Sequence, residues 1–315
     1  MNPKLSVLTA ARRGWFTRAD ARDAGYSESE LRRRLRTGQW TRLSRDAYVE
    51  PAAWPVGEST WDRARRLHLV TTRVVVGRLG GGAVVSHQSA AALHGLPTWS
   101  LNLTKVQVTK PTGRPRSEAI VEVHRSRFEP GEVTVLDGLR VVTPGRAIVE
   151  TACVSSYEVG VVLGDAGLHQ RLVTADALVT MADRHMYWSG SPAARAAARF
   201  ADGLCESVGE SRLRVLMANH GLPTPTLQAE IRDPTGLLVG RVDFLLAGRL
   251  IVEFDGAEKY GGTASAVLAE KWREDRLRDC GYRVVRTSWA DLDQPGATAA
   301  RIRRALGDAD STRWP

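Results

Sequence analysis

Two consecutive apolar runs late in the chain, LVGRVDFLLAG and RLIVEFDG, constrain its fold more than any other segment. Each has the alternating pattern of a β-strand, and the turn-forming Ala247 and Gly248 lie between them, so together they predict a hairpin. This hairpin would place Asp243 almost opposite Glu253, with Asp255 on the same face as Glu253. Two or three carboxylates would then crowd one end of a sheet, which is costly unless a cation lies beside them.

Alternation also predicts which side chains of the first of these strands share a face. Val242 and Phe244 should face one way, and Arg241, Asp243 and Leu245 the other. The neighbouring segments predict a helix, a strand, a basic helix and a last strand, so that the whole forms an α/β module. In chain order these segments are ESRLRVLMANHG, LQAEIRDPTG, AEKWREDRLRDCGY and RVVRTSWADL.

A divalent metal would remove the repulsion within this acidic cluster. Mg²⁺ takes carboxylate oxygens, waters and substrate phosphate in octahedral geometry, so we expect Mg²⁺, or Mn²⁺, at Asp243 and Glu253. Glu210, on the preceding helix, is a candidate further ligand or outer carboxylate. The ion would polarise a phosphate and lower the pKa of a bound water, while a nearby cation orients the nucleophile. Acidic residues at strand ends are also common in proteins without metals.

The residues from about Glu206 to Leu292 resemble the endonuclease-like family related to very-short-patch-repair endonucleases, a branch of the PD-(D/E)XK superfamily. The shared pattern is VDF, then E-x-D-G, a basic helix, G-[YW]-x-V-x-R and a late aspartate. The resemblance implies a restriction-endonuclease-like fold and metal-dependent hydrolysis of DNA. It gives Asp243 the place of the motif aspartate and Glu253 that of the following acid.

One position departs from the superfamily pattern, because Asp255 stands where a lysine is usual. The missing cation must then come from elsewhere, or activity is lost. Lys259 is the first candidate, since a related arrangement has a histidine near that place, and Lys271 and Arg273 on the following helix are the others. Both lysines fit a solvated surface position equally well.

Residues 1–50 predict three short helices followed by a hairpin. Thr17 is a good N-cap for the second helix, which stops at Gly25, and Ser27 with Glu30 forms a capping box for the third. The segment TRLSRDAYV then has a hairpin pattern. This order is typical of a winged helix-turn-helix, in which the last helix enters the major groove of DNA.

The third predicted helix is strongly basic. Residues 1–50 hold 11 basic and 6 acidic side chains, whereas the whole chain of 315 residues has a formal charge of +9. Such a balance favours a polyanionic partner, although a basic helix face is often only solvated. Arginine binds phosphate or guanine through a two-pronged guanidinium, so the candidate DNA contacts are Arg32, Arg33, Arg36 and Arg42.

The N-terminal segment from GWFTRADARDAGY to SRDAYV resembles the winged-helix domain of AbiEi-type abortive-infection antitoxins. These act as DNA-binding repressors of their own operons, so the resemblance implies DNA and a cognate toxin as partners. The middle segments SHQSAAALHGLP and VVTPGRAIVETA resemble the region that accompanies this domain in actinobacterial proteins.

The whole chain predicts a multidomain α+β protein. We expect a winged helix-turn-helix in 1–55, a mixed α/β middle region in 56–190 and a restriction-endonuclease-like domain in 191–315. The histidines of the middle region lack metal-ligand spacing and are interpreted as structural or surface residues. The three cysteines are far apart, and no run approaches the roughly 18 apolar residues that a membrane span needs, so we expect a cytoplasmic protein that has no membrane partner.

Two functions remain open at this point. The first is a metal-dependent DNA endonuclease, used in phage defence or repair, which the winged helix delivers to duplex DNA. The alternative is a non-enzymatic antitoxin and transcriptional repressor whose nuclease fold is degenerate, and Asp255 favours it. RNA as the nucleic acid is a third possibility. The sequence gives neither the DNA site nor the oligomeric state.

Overall fold

The computed structural model describes residues 1–51, 58–256 and 264–311, without the side chains of 264–270 and 308–311. The chain forms two compact units, Met1–Thr151 and Ala152–Pro315. Both combine helices with β-sheet, so the predicted multidomain α+β class is confirmed. The finer division into 1–55, 56–190 and 191–315 stays a prediction. In these described ranges, no helix has the length and apolar character needed to span a membrane.

The first 50 residues form three short helices and a hairpin, and the predicted helix caps are confirmed. The side chains of Thr17 and Ser27 each accept a backbone N–H of the helix that follows, and Asp20 and Glu30 complete the two capping boxes. The elements are α1 (Pro3–Ala11), α2 (Arg18–Asp23), α3 (Glu28–Arg36) and the antiparallel strands β1 (Thr41–Ser44) and β2 (Ala47–Val49).

A small aromatic core holds this segment together. The rings of Phe16 and Trp40 meet edge to face with centroids 4.7 Å apart, and Phe16 stacks on Tyr48 at 5.9 Å. Phe16 and Tyr48 also exchange two backbone hydrogen bonds, of 3.0 and 2.9 Å. Because Phe16 directly precedes the N-cap of α2, these contacts fix α2 against the hairpin.

The rest of the first unit is built on a six-stranded mixed sheet in the order β5-β6-β4-β3-β8-β7. Apolar residues of β4 and β6, among them Val106, Val108 and Val123, are buried against Val75. The elements are α4 (Thr60–Leu79), β3 (Val84–Val85), α5 (His87–Leu93), β4 (Val106–Lys110), β5 (Arg116–Ser117), β6 (Val121–Arg125), β7 (Val133–Leu136), β8 (Leu139–Val142) and the start of α6 (Pro144–Val154).

A buried polar cluster lies beside this sheet. The fully buried guanidinium of Arg146 donates to Glu132 and, at 2.8 Å, to Glu150. The other Glu150 oxygen accepts the backbone N–H of His87 at 3.0 Å, and the His87 ring stacks on His124 with centroids 3.9 Å apart. His87 is buried, and His124 is partly buried beside it. Removal of one partner from a buried ion pair lowers the free energy of unfolding by about 3–5 kcal/mol, so the cluster also constrains the fold.

The second unit combines helices with a four-stranded sheet in the order β12-β11-β10-β9. Strands β11 and β12 are parallel, and the other neighbours are antiparallel. Arg214 on α10 donates to both oxygens of the buried Asp165 on α7, at 2.7 and 2.9 Å, and so ties two helices together. The elements after α6 are α7 (Tyr157–His169), α8 (Ala175–Arg184), α9 (Ser191–Phe200), α10 (Val208–Asn219), β9 (Thr226–Arg232), β10 (Leu238–Leu246), β11 (Leu250–Phe254), α11 (Ala264–Asp279), β12 (Arg283–Thr287), α12 (Trp289–Leu292) and α13 (Pro295–Ser311).

The predicted alternation along β10 is wrong at one point. Phe244 packs in a core cluster with Val252, whereas Val242 packs in a different cluster with Ile251, so Val242 and Phe244 do not share a face. The partner strand explains this change, because Gln228 lies between the paired residues opposite Val242 and Phe244 and has φ near +49°. Such a left-handed residue twists the ladder locally, and an alternation pattern does not predict it.

Close packing between α10 and β11 predicts the effect of one substitution. A Cβ atom added at Gly209 would lie 2.0 Å from the Phe254 ring. Gly209→Ala should therefore lower the free energy of unfolding by about 3 kcal/mol or more. At Gly307, a helical position on α13 with open space around it, Ala should raise stability by about 0.5–1 kcal/mol. Urea denaturation of both variants is the measurement, and a Gly209→Ala protein as stable as wild type would contradict the packing.

The stacked histidines predict a loss of stability in mild acid. Burial lowers the pKa of His87 to about 3, helped by Arg146, and burial and then His87 lower the pKa of His124 to about 4. In the unfolded chain these groups titrate near 6.5. The unfolded state therefore binds more protons as the pH falls from about 6.5 to 4, and the free energy of unfolding decreases across this window.

In the wild type, burial raises the pKa of Glu150, so protonation of Glu150 stabilises the folded state in acid and offsets part of the loss caused by the histidines. The variant His124→Gln isolates the contribution of His124. Glutamine can still donate to Gln107, which His124 contacts at 2.6 Å, but does not titrate. Urea denaturation at pH 7.5 and pH 5 should show a smaller loss of stability in His124→Gln than in wild type. His169→Gln, at an exposed histidine of the second unit, is the control, and equal losses in all three proteins would refute the assignment.

Candidate functional site

Helix α3 presents three of the predicted DNA-contacting arginines to solvent. Arg32, Arg33 and Arg36 are exposed, while Leu31 on the opposite side is buried in the aromatic core. The capping box at Ser27 fixes where this helix begins. The basic face is therefore held in one orientation and is free to meet a large partner.

Arg34 of α3 and Arg42 of β1 are partly engaged within the protein. The Arg34 guanidinium lies over the rings of Tyr26 and Trp40, at 5.0 and 5.2 Å from their centroids, which is a packing role. Arg42, the fourth predicted DNA contact, is exposed. Its Nε donates to the Ser44 carbonyl at 3.0 Å and its Nη2 to the Arg45 carbonyl at 3.2 Å, so it stabilises the turn of the hairpin.

The predicted β10–β11 hairpin is confirmed, and it brings Asp243 and Glu253 to the same end of the sheet. Phe244 pairs with Val252, so Asp243 and Glu253 are the next residues in this antiparallel register. Asp243 Oδ2 accepts the backbone N–H of Phe254 at 2.8 Å. The two carboxylates are thus neighbours because the backbone pairing places them there.

Glu253 is the buried member of this pair. Arg273 Nη2, on α11, lies 2.8 and 3.1 Å from its two carboxylate oxygens, and Arg286 Nη2, on β12, lies 3.9 Å away. Burial raises the pKa of Glu253, the Arg273 guanidinium opposes this rise, and the nearby Asp243 carboxylate adds to it. Among the described residues, Arg273 and Arg286 bring positive charge to Glu253, and Arg273 was one of the candidate cations named from the sequence.

Arg286 connects the remaining acids. It lies directly beside Glu253 in the parallel pairing of β11 with β12, and its Nη1 is 3.6 Å from Asp255. Its Nη2 is 3.0 Å from Glu274 on α11. The sequence interpretation gave Arg286 no role, although it is the final arginine of the G-[YW]-x-V-x-R pattern. That pattern was the available signal.

The other predicted site residues lie in different settings. Glu210, in the first turn of α10, is buried, and its Oε2 accepts the Glu206 backbone N–H at 3.1 Å and the Gln228 amide at 3.0 Å. It therefore holds the start of α10 and the irregular residue of β9. Lys271 is exposed on α11, and Lys259 lies outside the described residues.

The described side chains do not offer the ligand set that Mg²⁺ prefers. Across these residues, no group of three or more His, Cys, Asp or Glu is placed to hold a metal ion. Asp243 and Glu253 are neighbours in the register, and both Glu253 oxygens already face Arg273. Chemically, the arrangement is an ion-paired carboxylate cluster, and Mg²⁺ or Mn²⁺ binding stays a prediction.

A comparison with known protein families agrees with the N-terminal geometry. Residues 7–51, which contain α2, α3 and the hairpin, match the family described as "Transcriptional regulator, AbiEi antitoxin". This confirms the N-terminal resemblance that the sequence suggested.

The chain also aligns over most of its length with two uncharacterized proteins of Mycobacterium tuberculosis, from the strains CDC 1551 / Oshkosh and ATCC 25618 / H37Rv. Each is 31% identical over 233 residues, which cover 73% of this chain and 84% of the relative. The chain therefore belongs to the family of these two mycobacterial proteins, with a domain of the AbiEi antitoxin type in residues 7–51.

Proposed function

We propose that this protein is a DNA-binding transcriptional regulator of the AbiEi antitoxin type, which binds a site near its own gene through the N-terminal winged helix. The observation that carries the proposal is the exposed arginine face of α3 within the matched residues 7–51. A capped helix with arginines on its free face fits the major groove, where guanidinium groups bind guanine edges and phosphates.

The position of the arginines on α3 supports DNA contact over simple solvation. Leu31 is buried in the core while Arg32, Arg33 and Arg36 face outward, so the helix is anchored along one side and free along the other. Arg34 is held over two aromatic rings and supports the helix. The remaining arginines are available for a partner. The matched family is described as one of transcriptional regulators, and DNA is the polyanion that such proteins bind.

A cognate toxin is the second partner that we propose. The printed description of the matched family is that of an antitoxin. If the gene next to this one encodes a toxin, the two proteins should copurify when they are expressed together. The toxin's effect on growth should then be relieved by this chain.

For the C-terminal part, we propose a PD-(D/E)XK-type fold that has a structural role in the regulator and does not cleave DNA. The order α10, β9, β10, β11, α11, β12, with β12 parallel to β11, supports this fold. Arg273 and Arg286 neutralise Glu253 and Asp255 in place of the motif lysine and a metal. Paired in this way, the carboxylates stabilise the sheet end, and phosphodiester chemistry is not needed to explain them.

The second candidate function is metal-dependent endonuclease activity in defence or repair. The observation that favours it is the pairing of Asp243 with the buried Glu253, whose pKa is raised by burial. A carboxylate with a raised pKa beside a second carboxylate is also found in active sites. In this candidate, Asp243 and Glu253, with Glu210, would bind Mg²⁺ or Mn²⁺. Asp255 would lie beside them, and Lys259 or Lys271 would supply the cation.

Substitution of the α3 arginines tests the regulator. In Arg32→Gln/Arg33→Gln/Arg36→Gln, each lost base contact should reduce the binding preference for the correct base over a wrong one by about 1–3 kcal/mol. Binding to DNA from upstream of the gene should therefore weaken at least about tenfold, toward the affinity for a shuffled duplex. The control Arg140→Gln/Arg171→Gln/Arg304→Gln removes the same charge at other exposed positions. Equal weakening of the two variants in a fluorescence-anisotropy titration would refute the role of α3.

The metal dependence of binding and cleavage separates the two functions. We expect the same affinity for DNA in EDTA and in Mg²⁺ or Mn²⁺, and no cutting of duplex DNA, because Arg273 already compensates the charge of Glu253. The nuclease candidate requires metal-dependent cutting that Asp243→Ala and Glu253→Ala abolish while DNA binding persists. Cutting that survives both substitutions would come from a contaminating enzyme.

A further inference from the structure

Five arginines line an open groove in the first unit, with a volume of about 830 Å³. None of them is on α3. The groove is formed by one side of α2, the turn of the β1–β2 hairpin and the end of α4. Its lining residues, which we call the arginine groove, are Arg18, Ala19, Arg22, Arg42, Arg45, Asp46 and Arg78.

The positive charge of the arginine groove is largely uncompensated. In the described part of the chain, Arg22, Arg45 and Arg78 have no acidic group within 4.0 Å. Asp46 is the one acid in the lining, and its Oδ1 accepts the backbone N–H of Arg18 at 3.0 Å. The Arg18 guanidinium is 3.8 Å from Glu28, a half-exposed pair that contributes little. Cations that line one groove repel one another, so an anionic ligand would lower the free energy of the groove.

The elements that carry these arginines are held firmly. The capping box of Thr17 and Asp20 fixes the start of α2, and Arg12 pairs with Asp20 at 2.7 Å. Arg42 donates to the carbonyls of Ser44 and Arg45 and so fixes the hairpin turn. The backbone positions of these arginines are therefore set before a ligand binds, and the entropy cost of binding is that of ordering the side chains.

The lining also indicates the chemical class of the ligand. One guanidinium group can donate two parallel hydrogen bonds to a phosphate. Phosphates recur along a nucleic-acid strand, so several arginines of one groove can each bind one. Ala19 is the one apolar side chain in the lining, whereas protein interfaces depend on buried apolar or aromatic anchors. The groove is also open, so it does not enclose a small molecule. A phosphodiester backbone fits better than an acidic protein surface.

We propose that the arginine groove binds the phosphodiester backbone of duplex DNA, as a contact separate from the one made by α3. The inference rests on the proposed function, since it deepens how the winged helix holds DNA. In this division, α3 sets the preference for a sequence, and the groove sets affinity and salt dependence for any duplex. It adds Arg18, Arg22, Arg45 and Arg78 to the interface, none of which the sequence interpretation selected.

The test compares Arg22→Gln/Arg45→Gln/Arg78→Gln with wild type in the full chain. Each phosphate contact adds about 0.9 to the slope of log affinity against log salt concentration. The groove variant should therefore lose about 2 to 3 units of this slope, and its affinity should fall on the order of tenfold for the upstream DNA and for a shuffled duplex alike. Arg140→Gln/Arg171→Gln/Arg304→Gln is the charge-matched control, and circular dichroism checks that each variant folds.

The outcomes separate this inference from the proposed function. If wild type prefers the upstream DNA and the groove variant keeps the wild-type slope, the groove inference fails and the regulator stands. If wild type shows no preference but the variant loses slope and affinity on both duplexes, the regulator fails and the groove stands. Loss of binding to an oligo-glutamate peptide with unchanged DNA binding would overturn the inference in favour of an acidic protein partner.

Discussion

Buried carboxylates in both units are neutralised by arginine, and much of the structure depends on this pairing. Arg146 joins Glu132 and Glu150 beside the six-stranded sheet, and Arg214 joins Asp165 between two helices. Arg273 faces Glu253 at the end of the four-stranded sheet in the same manner. A buried carboxylate without a partner is strongly disfavoured, so each pair fixes how its elements meet. The acidic cluster of β10 and β11 is one instance of a device that this chain uses repeatedly.

Sequence patterns predicted the local parts of the fold well, because the forces behind them act over a few residues. The capping boxes at Thr17 and Ser27 and the hairpin turn near Gly248 each depend on neighbours in the chain. The register that brings Asp243 to Glu253 follows from that turn and the period of two along each strand. The order of elements in the last third followed from the same periodicities.

The parts that could not be predicted depend on distant contacts. Arg273 was among the candidate cations named from the sequence, but its contact with Glu253, twenty positions away, depends on how α11 packs on the sheet. Arg286 reaches Glu253 from the next strand, and no spacing rule selects it. The left-handed backbone of Gln228 on β9 changes the face of the sheet on which the β10 side chains lie. An alternation of polar and apolar residues does not reveal such a backbone conformation. Likewise, Arg18 and Arg78 are 60 positions apart, and they line one groove only because α2 and α4 approach each other in the fold.

All five residues of β11 are buried, and Gly209 of α10 lies against the ring of Phe254 at its end. The apolar residues of this strand are therefore required by packing on both of its faces, whatever the two carboxylates do. Selection on stability alone would therefore preserve the apolar residues of this strand. In this chain, the apolar part of the strand motif reflects the architecture, and the cation beside Glu253 is the better guide to chemistry.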